Sequence, residues 1–151
     1  MARYNGDRAS IAPATGVANW VLETVAGVEL NIIEISWGGE MTASTAMRTR
    51  IARDSVVGTG ARTAGNVQKI NMHSPANSAF FSTTYLTLQP SINAGALFGT
   101  SWNAHGGVVR WLAAPGEELN AYDAGATTAS IECRADVGTG TSSYDTVWEE
   151  R

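Results

Sequence analysis

Lysine is almost missing from this chain: Lys69 stands alone among 151 residues, beside nine arginines and fourteen acidic residues. Charged residues make up only 16%, against roughly 25% in an ordinary soluble domain. The formal net charge is −4 and the sequence pI is near 5.1. Such a surface is a poor electrostatic match to a phosphate backbone, whose binding is driven by clustered Lys and Arg that release counterions. Nucleic acid is therefore not an expected partner. Cysteine is as scarce. Cys133 is the only one, so the chain forms no internal disulfide, Cys-based zinc site or CxxC redox pair. His73 and His105 stand far apart with no short ligand spacing, and no metal or cofactor is expected. No run approaches the roughly 18 apolar residues of a membrane span. No apolar stretch follows the charges of Met1 to Arg8, as a secretory signal would require. Synthesis in a host cytoplasm, with no membrane partner, is the expectation.

What is present points to short strands. A length of 151 residues suits one domain, and a chain of that size buries roughly 70% of its unfolded surface without staples. Period-2 alternation puts successive side chains on opposite faces of a sheet. From Leu30 to Trp37 it sets Ile33, Ile35 and Trp37 against Glu34 and Ser36, and it stops at Gly38-Gly39. From Met41 to Arg53 it sets Met41, Ala43, Met47 and Ile51 against Ser44, Arg48 and Arg50, with a helix as the competing reading because of the Ala and Met content. Further strands are expected at Asn19 to Val25, Val67 to Met72, Phe80 to Leu88, Gly106 to Leu112, Leu119 to Tyr122 before an Asp123-Ala124-Gly125 turn, Ile131 to Asp136 and Ser143 to Trp148. Turns every 8–15 residues or so predict an all-β fold, a single-domain jelly-roll or β-sandwich of about eight antiparallel strands spanning 15–151. Residues 1–14 read as a flexible N-terminal arm. The stretches 54–66 and 137–142 are also expected to be loosely structured.

Catalytic signatures are thin. Gly60 and Gly65 have the gap of a phosphate loop, but Asn66-Val67 replaces its Lys-Ser/Thr pair. Gly138-Thr139-Gly140 lacks the third glycine of a dinucleotide fingerprint. No G-x-S-x-G elbow accompanies either histidine. A carboxylate pair for glycoside hydrolysis would come from Glu34, Glu40, Glu117, Glu118 or Glu132, a third-ranked reading. No catalytic residue is assigned. Trp37 and Trp111 fall on apolar strand faces and are expected in the core, as is an inert Cys133. Trp102, in a Gly/Asn loop, and Trp148, near the end, are candidate contact or ligand-stacking rings. Arg48, Arg50 and Arg53 form the one local basic cluster, suited to an acidic partner or to a solvated face.

The whole-chain pattern resembles the cement or head-decoration proteins of tailed bacteriophages. The segments that carry it are the Met1-Ala2-Arg3-Tyr4 opening and the strand from Val28 to Ile35. A long Ala/Thr-rich strand follows, then the Trp111-to-Leu119 hairpin and the closing stretch from Tyr144 to Glu150. The resemblance spans most of the chain. It implies a jelly-roll homotrimer on the capsid exterior of a virion, bridging capsomers through the major capsid protein, without enzymatic activity. Capsid or subunit contacts are then expected at Arg3, Tyr4 and Arg8 of the arm, at Arg48 and Arg50, and at Trp102 and Trp148. A carbohydrate or host-receptor binding module of a phage head or tail, using Trp102 and Trp20, is the alternative.

Overall fold

The computed structural model describes residues 1–12, 14, 17–56, 58–85, 90–92, 95–122, 129–138 and 140–151, with backbone alone at 10, 84, 85, 91 and 92. The turn expected at Asp123 to Gly125 and the expected run of a strand through Leu86 to Leu88 lie outside them. Among the described residues there are thirteen strands and no helix. They are β1 (Ala2–Ile11), β2 (Ala18–Glu23), β3 (Glu29–Gly39), β4 (Ala46–Val56), β5 (Arg62–Ala64), β6 (Asn66–Lys69), β7 (Phe80–Tyr85), β8 (Ser91–Ile92), β9 (Phe98–Asn103), β10 (Val108–Leu112), β11 (Leu119–Tyr122), β12 (Ser130–Val137) and β13 (Ser142–Glu150).

All pairings are antiparallel, and they build a sandwich of two sheets. One runs β10-β3-β13-β1-β6, with β11 also on β3. The other runs β5-β7-β2-β12-β4-β8, with β9 also on β4. The pairs are nested along the chain: β1 with β13, β2 with β12, β3 with β10 and β11, and β4 with β9. A long hairpin rolled onto itself has this connectivity, which is that of a jelly roll. Of the nine strand positions expected, those of β2, β3, β4, β10, β11, β12 and β13 fall in this nested set and those of β6 and β7 outside it, whereas β1 and β9 were not expected; β10 and β11 both pair along one side of β3. The remaining strands, β5 to β8, come from one insertion between β4 and β9 and extend the sheet edges. Within it, Gly65 carries the chain from one sheet to the other. A Cβ there would lie 2.4 Å from Phe81 Cδ1, so no larger residue fits this crossing.

The core lies between the sheets, where the alternation of each strand delivers its apolar face. Ser142, Tyr144, Thr146 and Trp148 of β13 are buried, and the residues between them are not. Phe81 stacks on Trp148 at 6.0 Å, with Tyr4 and Trp20 on either flank of that pair. Trp37, Phe98 and Trp111 form a second aromatic string. Such ring pairs add about 0.5–1.5 kcal/mol each beyond area burial. Met47 and Ile51 of β4 face inward and Arg48 and Arg50 outward, which resolves Ala46 to Val56 as strand rather than helix. Cys133 is fully buried.

Three expectations are corrected. Residues 2–11 are not a free arm: β1 sits between β13 and β6. It was hidden because its inward positions are Tyr4, Gly6 and Arg8 rather than a run of apolar residues; a Cβ on Gly6 would press on Phe81 and Trp148 at 3.0 Å. On β3 the inward set is Leu30, Ile32, Ile35 and Trp37, not Ile33. The register against β13 shifts between Val147 and Trp148, and such a bulge flips which neighbour faces the core. Trp102 lies within β9, not in a loop.

Candidate functional site

The seven residues expected to make contacts do not converge. Arg3 projects from the outer face of the β3-containing sheet, with its Nε 2.6 Å from Glu149 Oε1. Arg48 and Arg50 lie on the outer face of the opposite sheet around Asp136, at 3.9 and 2.9 Å. Arg8 turns inward and bridges the two sheets, donating from Nη1 to the carbonyls of Asn19 and Thr83. The three aromatic assignments are overturned by burial. Tyr4 and Trp148 are wholly enclosed, and Trp102 is 9% exposed. Tyr4 Oη donates to the Pro75 carbonyl at 3.2 Å. Trp102 Nε1 donates to Thr49 Oγ1 at 3.0 Å. A ring held between two sheets has no face to offer a sugar or a partner, and Trp20 is equally enclosed. Arg3 and Arg48 keep exposed side chains, on opposite faces of the molecule.

A buried ionic cluster under the seven-stranded sheet was not assembled by sequence spacing, because its members come from four strands. Glu23 of β2 pairs with Arg62 of β5. Glu132 of β12 has its Oε1 2.6 Å from Arg134 Nε, and its side chain is wholly buried. Asp54 of β4 accepts from Ser130 Oγ and lies close enough to Glu132 for the two carboxyl groups to act on one another electrostatically. Asp54 Oδ1 and Glu132 Oε2 are buried and have no hydrogen-bond partner among the described residues, so a charge on both is costly there. Burial is the main cause holding both above the ordinary carboxylate range, and for Glu132 the neighbouring Asp54 charge adds to it. Burial also raises Glu23, against the opposing pull of Arg62. Glu132 had been considered as a hydrolytic carboxylate. Here it faces an arginine and an aspartate beneath covering chain, with Arg134 Nη2 donating to the Pro90 carbonyl at 2.8 Å.

Two further surface features are an end cleft and an edge. The cleft, about 510 Å³, lies between the β6–β7 connection and the start of β1, lined by Tyr4, His73, Pro75 and Glu150 among others. Glu150 is engaged there by the Ser78 and Ala79 amides. His105 is exposed on the β9–β10 turn, remote from the cleft. Among the described residues no group of three or more His, Cys, Asp or Glu is placed to hold a metal ion.

The edge is formed by β10 and β11, which follow one another along the outer side of β3 from Gly38 to Glu29. Trp111 and Val109 turn inward. Val108, Leu112 and Tyr122 are 78%, 62% and 58% exposed, with Arg110 between the first two held by Glu34 at 2.6 and 2.9 Å. The sequence signal was present in Val108-Val109-Arg110-Trp111-Leu112, which is apolar on both faces. Comparison with protein-family models, with curated proteins and with solved structures finds no match to this chain.

Proposed function

We propose that the chain is a noncatalytic virion structural protein, a capsid decoration or cement protein that seats on the outer surface of a phage head as a homotrimer and stabilises the lattice of the major capsid protein. The observation that carries this reading is the β10–β11 edge. Among the described residues, large apolar side chains stand exposed along a side of the sheet on which no strand pairs, where a second chain finds both backbone groups and apolar area. The scarcity of charge supports it as well, since few charges need to lose water when a flat neutral face meets another protein. A threefold ring presents this edge of each copy to a different patch on the next, and three linked footprints on a lattice raise effective affinity over one.

Light scattering tests the reading. A trimer of the 15.9 kDa chain is expected, and Val108→Asp with Leu112→Asp is expected to give monomer with stability within about 0.5 kcal/mol, as befits exposed positions. A wild-type chain that stays monomeric at all concentrations, on and off particles, contradicts it.

A further inference from the structure

The cluster around Glu132 has a charge balance that closes with one proton. Three carboxylates, Glu23, Asp54 and Glu132, face two guanidiniums, Arg62 and Arg134. Glu23 is matched by Arg62 and Glu132 by Arg134, which leaves Asp54, among the described residues, with the Ser130 hydroxyl and a share of the Arg134 charge. The nearby cations do not supply the difference. Arg50 and Arg48 are drawn to Asp136. Arg53 donates to the carbonyl and side chain of Asn120. An unmatched charge in this setting costs far more than on the surface, so the closed cluster keeps the proton.

β7 and β8 flank β2, β12 and β4 on opposite sides. Pro90 enters β8 with its carbonyl on Arg134, and β8 pairs with β4 at Asp54 and Val56. Arg134 and Asp54 thus belong both to the ionic cluster and to the seat of residues 90–92. Asp54 also lines a surface pocket with Arg53, Asn120 and Ser130, but removing the proton leaves a net negative charge beside residues 90–92, and lifting them admits water to the buried Asp54 Oδ1 and Glu132 oxygens.

We propose that residues 90–92 are a pH-released clasp, docked on β4 and β12 while Glu132 and Asp54 share one proton and freed as that proton leaves. The burial-raised carboxyls agree with this balance. The inference stands apart from the assembly role and does not depend on it.

Hydrogen exchange of the Ser91 and Ile92 amides, followed by NMR and corrected for intrinsic rate, tests it on the intact chain. In the wild type, protection falls by about tenfold per pH unit from about pH 5 upward, then levels off once the closed form itself loses the proton. Glu132→Gln and Asp54→Asn each balance the cluster without a proton, so both should give protection independent of pH. Glu117→Gln, at an exposed carboxylate on the turn after β10, should keep the wild-type profile. A flat wild-type profile, or a profile unchanged in both Glu132→Gln and Asp54→Asn, overturns the proposal. Two cluster variants are used so that a fold lost in one leaves the other decisive.

Discussion

Glu132 and Cys133 are neighbours on β12 that face opposite ways, and each has an experimental signature. Burial raises the Glu132 carboxyl to about 8, far above the roughly 4.3 of an unfolded glutamate. Between those values the native state binds a proton that the unfolded chain has released. Stability is therefore greatest on the acid side of the window and declines as pH rises toward 8. Urea midpoints should fall from about pH 5 to about pH 8 in the wild type and much less in Glu132→Gln. An unchanged slope in the variant would place the titration elsewhere. Cys133 points into the core, where burial pushes its thiol up from the ordinary range. Thiolate is the reactive form, so a thiol reagent should label nothing in the native chain and one group per chain after denaturation. Rapid native labelling would contradict its position. The burial of Cys133 was legible from its alternation with Ile131 and Ala135. The nearness of Asp54 to Glu132 was not, because it comes from β4 through long-range pairing that no local spacing encodes.

At the scale of elements, legibility followed how strongly each strand alternates. Leu119 to Tyr122 was read with its observed ends, and β12 and β13 within about two residues, because apolar and polar positions there trade places without interruption. β9 was missed since Gly99, Thr100, Ser101 and Asn103 surround its single tryptophan, and only pairing with β4 gives that ring an inward face. β1 was missed for a related reason: glycine and arginine occupy inward positions that chain neighbours do not reveal. The consequence is testable. Because β1 lies between β13 and β6 and covers Trp148 with Tyr4, deleting residues 1–11 should abolish cooperative melting and the near-ultraviolet circular dichroism of the aromatic core. A truncated chain that melts like the full one would mean that this segment is a dispensable arm.

For the whole molecule, the all-β class and the sandwich followed from turn spacing and period-2 patterning, and the nested order of pairs completes a jelly roll. The contact surface was less legible. Sequence reading favoured tryptophans because large aromatic rings dominate interfaces as well as cores, and in this chain the core takes Trp20, Trp37, Trp102 and Trp148. The exposed apolar area falls instead to aliphatic residues and Tyr122 on the β10–β11 edge, beside a surface with one lysine and little charge of either sign. That combination fits a protein whose work is to lie against other protein. Cosedimentation with purified tailed-phage heads tests the proposed cement role most directly. The account predicts that the chain travels with the heads at saturation in copies that are a multiple of three. A chain that remains at the top of the gradient at every concentration would contradict it.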